Sequence, residues 1–296
     1  MWIGVRERFG RFDHNLQVTP EQLDDGLKKQ WNVCKVLQRA YYGTSTDDPP
    51  GLIVGSWGQG CQKRPTNDID IFFVLPATVF DRFQLYSGKK QSALLQEVKK
   101  HLAGSYPSTS SIRGDGQVVQ VNFNTIGIEV VPVFSYDGGR QFLMPDTNSG
   151  GSWKIVDPYA EQELIQHVDL ATSGNARRMA RMMKAWKRHC NVPLKSYQIV
   201  LLSMIFMNTY EHRRQDYFWF DWFMRDFFEF LCTQSFCNLT IPGTGEPINL
   251  GDQWLSRAIS ARDRARKSCD YEYANLVVSA GHEWQKIFGP QIPVHV

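Results

Sequence analysis

Two short stretches carry most of the fold information: GSWGQG at residues 55–60 and DIDIFFV at residues 68–74. The first follows an apolar segment, GLIV at residues 51–54, and forms a glycine-rich turn whose N–H groups can approach phosphate oxygens without a Cβ in the way. In the second, Asp68 and Asp70 point to one face of a strand, with Cα atoms roughly 6.6 Å apart. Together they predict a phosphate-binding turn beside two carboxylates.

The turn does not match two common phosphate-binding motifs. Gly55 and Gly60 are followed by Cys61 and Gln62, whereas the GxxxxGK[ST] loop requires lysine and then serine or threonine. The stretch also lacks the helix that dinucleotide-binding GxGxxG folds need, so we expect a plain turn here.

The acidic strand favours a metal site. An apolar run at residues 71–75 indicates a strand buried on both faces, where two carboxylates without cations would be costly. Hard carboxylate oxygens suit Mg²⁺, and two such ions can activate a hydroxyl and stabilise a leaving pyrophosphate. The candidate third carboxylate is Glu129, in the strand IGIEVVPV at residues 126–133, which we expect beside the first acidic strand in the same sheet.

The combination of these motifs resembles the nucleotidyltransferase superfamily of DNA polymerase β. Within it, IEVVPVF, MPDTNSGGSWKIVDP and RMARMMKAWKRHCNVPLKSYQIVLL resemble the bacterial cyclic-oligonucleotide synthases of antiphage (CBASS) signalling systems, relatives of cyclic GMP-AMP synthase and oligoadenylate synthase. The similarity covers residues 23–202. It implies that Gly55 and Ser56 bind the terminal phosphates of a donor nucleotide, and that Asp68, Asp70 and Glu129 bind two Mg²⁺ ions, with Mn²⁺ as an alternative.

The same resemblance implies three further nucleotide-binding residues. Lys184 and Ser196 would hold the triphosphate, and Tyr197 would stack on the donor base. Without the resemblance, Lys184 belongs to a basic stripe with Arg177, Arg181 and Arg188, which is typical of a solvated helix face. Ser196 is equally suited to a helix N-cap, and Tyr197 to the core.

With 296 residues and 42% hydrophobic content, the chain can bury a large core. The resemblance, together with helical patterns from residue 158 onward, implies an α+β, bilobal protein with a central cleft: a polymerase β-like nucleotidyltransferase lobe at residues 1–157, with a mixed sheet and flanking helices, and a helical lobe at residues 158–296. The net charge of only +3 does not require stable nucleic-acid binding. Six cysteines without zinc spacing, and no apolar stretch long enough for a signal or membrane span, favour a cytoplasmic protein.

Local patterns predict further elements. Residues 20–42 form a helix N-capped by Thr19, with six apolar residues on its buried side: Leu23, Leu27, Trp31, Cys34, Val36 and Leu37. Residues 105–116 are expected to form a loop, and residues 136–157 a long connection near the site. An aromatic cluster at residues 217–230 is typical of a buried amphipathic helix with Asp221, Arg225 and Glu229 on its polar face, although a partner-binding surface is an alternative.

The expected activity is Mg²⁺-dependent joining of NTPs, ATP among them, into a cyclic di- or trinucleotide messenger. Two alternatives remain open: a transferase making linear products, of the oligoadenylate synthase or RNA-tailing kind, and a catalytically silent nucleotide or RNA sensor. The resemblance also implies a downstream effector that reads the messenger, and a regulatory protein partner. Base choice and linkage are not determined by the sequence.

Overall fold

The acidic stretch forms a central strand of a mixed sheet in a computed structural model, which describes residues 2–66, 68–107 and 111–296. The strands are β1 Gly51–Ile53, β2 Ile69–Leu75, β3 Ile112–Asp115, β4 Val118–Val121, β5 Ile128–Tyr136, β6 Gln141–Asp146, β7 Ser152–Val156, β8 Asn238–Thr240 and β9 Pro247–Asn249. The α-helices are α1 Val5–Leu16, α2 Pro20–Tyr42, α3 Gly55–Gly58, α4 Ala77–Gln84, α5 Lys90–Ser105, α6 Pro158–Ala171, α7 Asn175–His189, α8 Ser196–Thr209, α9 Phe220–Cys232, α10 Leu255–Tyr273 and α11 Val277–Phe288.

The chain divides into two units whose boundaries differ from the predicted break at residue 157. Residues 18–60 and 66–162 form the sheet unit, and residues 1–17, 61–65 and 163–296 form the helical unit. The difference arises because α1 buries Val5, Phe9, Phe12 and Leu16 in the core of the helical unit. A helix at the start of the chain therefore packs with elements far along the sequence.

The sheet runs in the order β1-β2-β5-β4-β3, and β6 joins the far end of β5 and pairs with β7. Strands β2 and β5 are parallel, whereas the other pairs are antiparallel. The prediction that the two acidic strands are neighbours is confirmed. Apolar side chains of β2 and β5 alternate between two cores, one on each face of the sheet.

Helix α2 has the predicted bounds, and its predicted buried face is buried only in the second half of the helix. Thr19 and Gln22 form a reciprocal capping box, and Gly43 ends the helix at φ 65°. Cys34 and Leu37 are buried and Val36 packs against the same core, as predicted, whereas Leu23, Leu27 and Trp31 are exposed, contrary to the prediction. In its first half the helix approaches the sheet through Gly26, where a Cβ would overlap side chains of Trp57 and Ile69.

Two predicted loops contain strands. Residues 105–116 include β3, and residues 136–157 include the β6–β7 hairpin. The hairpin was missed because its polar turn obscures the alternation of two short strands. Asp146 organises that turn, since its Oδ1 accepts hydrogen bonds from the backbone and side-chain nitrogens of Asn148 at 3.0 and 2.7 Å.

The helical unit has one large core built from α1 and α6–α11. Of the nine aromatic residues in the cluster, four are fully buried in this core (Phe220, Phe223, Phe227 and Phe228) and four more pack against it while partly buried: Tyr217, Trp219, Trp222 and Phe230. The prediction of a buried amphipathic helix is therefore right for these rings. It is wrong for Asp221, which was placed on the polar face and is only 1% exposed.

Candidate active site

Two of the predicted carboxylates lie side by side across the central strand pair. Asp70 in β2 and Glu129 in β5 are register partners, so their side chains leave the same face of the sheet. Neighbouring strands are about 4.8 Å apart, which places the two Cα atoms within reach of a shared ligand. Glu129 is also oriented by the next strand, since Gln120 Nε2 donates to its Oε1 at 2.8 Å.

Asp68 precedes β2 and shares this face with Asp70 by strand alternation. The start of β2 is fixed by a hydrogen bond from Ile69 N to the carbonyl oxygen of Gly127 at 3.0 Å. At Gly127, a Cβ would overlap the Asp68 carboxylate. Glycine at position 127 therefore makes room for the first acidic side chain.

The absence of a side chain at Gly55 leaves space for the carboxylate of Asp70 in the same way. Its φ is +57°, a left-handed conformation that suits glycine, and an added Cβ would overlap Asp70 Oδ2. The backbone beside it is tied to β2 by a 2.9 Å hydrogen bond from Val54 N to Asp70 O. The expected plain turn is in fact one helical turn, α3, in which Ser56 is partly exposed. The glycine-rich segment thus lies directly against the second acidic residue.

A pair of glycine-to-alanine variants distinguishes the effect of the Gly55–Asp70 contact from the effect of backbone strain. In Gly55→Ala, the methyl group displaces the Asp70 carboxylate, and we expect nucleotide turnover to fall about 100-fold or more, as misplacement near 1 Å can do. Gly43→Ala is the matched control, because Gly43 also has positive φ (+65°) but nothing within 4 Å of its Cβ position. Both variants carry the strain of about 1 to 2 kcal/mol. Equal turnover in the two variants would contradict the predicted role of the Gly55–Asp70 contact.

The donor chemistry fits a hard divalent cation, because three carboxylates share one face and two glycines leave space beside two of them. Within residues 2–66, 68–107 and 111–296, no three His, Cys, Asp or Glu side chains are close enough together to hold a metal ion.

A small cavity opens on the same face, beside Gly55. It measures about 120 Å³ and is lined by Val54, Gly55, Gln59, Phe72, Val156, Asp157, Pro158, Glu161 and Gln162. Glu161 Oε2 accepts a hydrogen bond from Gln59 Nε2 at 2.9 Å, and burial raises the pKa of this carboxyl. Phe72 follows Asp70 by two residues and so faces the same way. The sheet unit therefore has a concave surface next to its acidic pair.

Lys184 lies in the helical unit, buried on α7, and its Nζ donates to the carbonyl oxygen of Cys61 at 2.9 Å. The basic stripe around it is not simply a solvated face, as the pattern alone suggested. Arg177 pairs with Asp169 at 2.9 Å, and Arg181 pairs with the buried Asp13 at 2.8 Å. Only Arg188, at the outer end of the stripe, is exposed.

Ser196 and Tyr197 begin α8, also in the helical unit. Ser196 is exposed and is the first helical residue; Lys195 takes the N-cap position, with its backbone N donating to Gln198 Oε1 at 2.7 Å. The alternative N-cap role for Ser196 is therefore wrong. Tyr197 is half-buried against the helical core, with Lys195 Nζ 5.9 Å from its ring centroid.

Lys63 was not among the predicted site residues, yet its burial and its lowered pKa are unusual for a lysine. Its side chain is only 6% exposed, and its one hydrogen bond among the described residues is a long one, 3.5 Å to Arg64 O. Burial, together with the charges of Arg188 and Lys184, lowers the pKa of Lys63 to about 8. The basic pair Lys63-Arg64 was visible in the sequence, but its burial was not.

The perturbed Lys63 predicts a pH effect on stability. Its folded pKa lies below the ordinary lysine value of 10.5, so the unfolded chain binds more protons and stability rises with pH between about 8 and 10.5. Lys63→Met should remove this rise and stabilise the protein at pH 7 by about 1 to 2 kcal/mol. Urea unfolding at several pH values would measure it. Lys35→Met, at a lysine that pairs with Asp47, is the control, and an unchanged pH slope in Lys63→Met would contradict the prediction.

A mixed sheet with acidic residues at matched positions of two parallel strands, next to a glycine-rich turn, defines a nucleotidyltransferase-like α+β protein. The family model described as the Second Messenger Oligonucleotide or Dinucleotide Synthetase domain matches residues 3–168. This protein therefore belongs to that family.

Individual relatives agree with this assignment. A probable cyclic nucleotide synthase of Bacillus cereus (strain VD146) is 24% identical over 179 residues, which are 56% of this chain and 52% of the relative. The match thus spans about half the length of that curated relative. CdnC of E. coli MS115-1, solved in a complex with HORMA-deltaN, has a TM-score of 0.71 at 16% identity, covering 97% of this chain and 98% of the other. CdnG of Bradyrhizobium diazoefficiens, solved with GTP, has a TM-score of 0.69 at 10% identity, covering 96% and 95%.

These likenesses confirm the α+β fold, with its nucleotidyltransferase and helical parts. In the part of the chain that the structure describes, no helix combines the length and apolar character needed to span a bilayer.

Proposed function

We propose that this protein is a Mg²⁺-dependent nucleotidyltransferase that joins NTPs into a cyclic di- or trinucleotide messenger in bacterial antiphage defence. The observation that supports this most is the register of Asp70 with Glu129, with Asp68 on the same face and Gly55 against Asp70. Membership of the second-messenger synthetase family supports the same activity.

The reaction is an in-line transfer. The oxygen of an acceptor 2′- or 3′-hydroxyl forms a bond to the donor α-phosphorus, the bond to pyrophosphate breaks, and the hydroxyl proton is lost. Bound Mg²⁺ would supply charge neutralisation and a more acidic hydroxyl. Asp68 and Asp70 would hold both ions, and Glu129 would hold the ion at the attacking hydroxyl and help to remove its proton.

The remaining residues would position the nucleotide. Gly55 and Ser56 would bind the terminal phosphates, Lys184 and Ser196 would bind the triphosphate, and Tyr197 would stack on the donor base. Base stacking of this kind contributes about 1 to 3 kcal/mol per base. Most of the rate enhancement would come from positioning and charge stabilisation rather than from covalent chemistry with the protein.

The solved relatives support particular nucleotides and a partner for this proposal. CdnC has also been solved with ATP, and CdnG with GTP, so ATP and GTP are the first substrates to test. The complex of CdnC with HORMA-deltaN supports a regulatory protein partner for this chain as well. An effector that reads the messenger and a cytoplasmic location complete the proposal.

Product analysis tests the function. The protein is incubated with all four NTPs and Mg²⁺, treated with phosphatase, and the products are identified by mass spectrometry before and after nuclease digestion. A cyclic product keeps its mass under phosphatase because it has no terminal phosphate. A product that loses phosphate indicates linear synthesis. Nucleotide binding without any product, also in the presence of candidate regulatory proteins, would favour the silent sensor.

A further inference from the structure

A small cavity of the sheet unit adjoins the acidic pair, Asp70 and Glu129, without containing either residue. This cavity of about 120 Å³, called the Glu161 cavity below, is lined in part by Gly55, which also lies against Asp70 Oδ2. Its polar walls include the side chains of Glu161 and its neighbours Gln59 and Gln162. None of these three side chains has a role in the proposed reaction.

Hydrogen bonds hold the polar walls in place. Gln162 Nε2 donates to the carbonyl oxygen of Ile53 at 3.2 Å, which ties the first turn of α6 to the end of β1. Gln59 is only 6% exposed, and its Nε2 donates to Glu161 Oε2 at 2.9 Å. The carboxyl group of Glu161 is therefore oriented before any ligand binds.

The hydrogen bonding of Glu161 is incomplete. No described residue donates to its Oε1, and this atom is not among the fully enclosed polar atoms that lack a partner, so a ligand in the cavity can reach it. Burial raises the pKa of Glu161, repulsion from Asp157 adds to it, and no cation among the described residues opposes them. An occupant with O–H donors would supply the missing hydrogen bond.

The lining excludes several other occupants. Phosphate would be repelled by Glu161 and Asp157, because no lysine or arginine lines the cavity. A hard metal ion needs several oxygen ligands, and no three acidic side chains within the described ranges lie close enough to provide them. Sites that enclose a whole drug-sized molecule measure about 300 Å³ or more, whereas a cavity of about 150 Å³ holds a single ring. The occupant is therefore an uncharged, hydroxylated group about as large as one ring.

Ribose is the part of a nucleotide that meets these requirements beside the acidic pair. It is joined to the α-phosphate through C5′ and O5′, so it lies nearer than the base to the reacting phosphorus. Its 2′- and 3′-hydroxyls are uncharged donors, and dinucleotide-binding proteins use a carboxylate to bind one of them. We propose that Glu161, oriented by Gln59, accepts a hydrogen bond from a ribose hydroxyl of the donor nucleotide and so selects ribonucleotides over deoxyribonucleotides. This inference rests on the proposed function.

Binding of deoxynucleotides tests the inference. Calorimetric titrations compare ATP with 2′-deoxy-ATP and 3′-deoxy-ATP, and GTP with its two deoxy analogues, with Ca²⁺ in place of Mg²⁺ to suppress turnover. We expect one deoxy analogue of the preferred nucleotide to bind about tenfold more weakly than its parent, which is the loss of one hydrogen bond to a charged acceptor. Equal affinities, in a protein that releases pyrophosphate from NTPs with Mg²⁺, would overturn this inference alone. Failure of the unaltered protein both to bind and to turn over any NTP would overturn the proposed function and this inference with it.

Variants of Glu161 assign the preference to one side chain. In Glu161→Ala the parent and deoxy nucleotides should bind within about twofold of each other, and in Glu161→Gln, which keeps an acceptor for Gln59, the preference should be reduced. Glu163→Gln is the control, because Glu163 is an exposed residue of the same helix that does not line the cavity, and it should keep the full preference. Thermal unfolding of each variant shows whether it is folded. A full preference for the ribonucleotide in folded Glu161→Ala would place the discrimination elsewhere and contradict the role of Glu161.

Discussion

Asp70→Asn should abolish nucleotide turnover, reducing it by about 1,000-fold or more, while the protein remains folded. The substitution preserves size, so the contact with Gly55 and the register with Glu129 are kept. What changes is the charge available to a divalent cation, and loss of metal-assisted stabilisation corresponds to several kcal/mol of barrier. Initial rates of pyrophosphate release from NTPs measure the effect.

The control for Asp70→Asn is Asp81→Asn, which alters an exposed carboxylate on α4 of the same unit. It should leave both turnover and thermal stability unchanged. Turnover of Asp70→Asn within tenfold of the unaltered protein would exclude a metal-binding role for this residue. Binding of NTP by the unaltered protein, with no pyrophosphate released, would exclude the synthase and leave the sensor.

The placement of the acidic residues on strands was predictable because it depends on local sequence patterns. Alternation along a strand places Asp68 and Asp70 on one face, and the apolar run after them identifies a central strand. The apolar strand that carries Glu129 must also be buried in the sheet, so it is expected next to the acidic strand. The two acidic strands are neighbours, as expected, whereas the register that pairs Asp70 with Glu129 was not predicted from the sequence.

Specific side-chain contacts between distant segments were not predictable. Lys184 was expected to face phosphate, and no local pattern indicates that its Nζ meets the carbonyl oxygen of Cys61. In helix α2, Cys34 and Leu37 of the predicted apolar face are buried, but Leu23, Leu27 and Trp31 are exposed, because the absent side chain at Gly26 lets that position approach the sheet instead. The periodicity of apolar residues identifies the faces of a helix, but the surface against which the helix packs determines which face is buried.

Arg8→Met should destabilise the helical unit by about 3 to 5 kcal/mol, the cost of leaving a buried charge uncompensated. The guanidinium is fully buried in α1: Nε donates to Glu272 at 2.8 Å, Nη2 to Val277 O at 2.7 Å and Nη1 to Val294 O at 2.9 Å. These bonds join the start of the chain to α10, α11 and the C-terminal segment. Urea unfolding followed by circular dichroism measures the loss.

The pH dependence of the stability lost in Arg8→Met distinguishes an unpaired Glu272 from lost carbonyl hydrogen bonds as the cause. Burial already raises the pKa of Glu272, and without Arg8 the penalty for its charged form grows. Because the folded pKa then lies above the unfolded value, the deficit should be larger at pH 7 than at pH 5, and Arg8→Met with Glu272→Gln should recover part of it. Arg6→Met, at an exposed pair with Asp216, is the control and should cost less than about 1 kcal/mol. A deficit independent of pH and not relieved in the double variant would show that the lost carbonyl hydrogen bonds, rather than the unpaired Glu272, dominate.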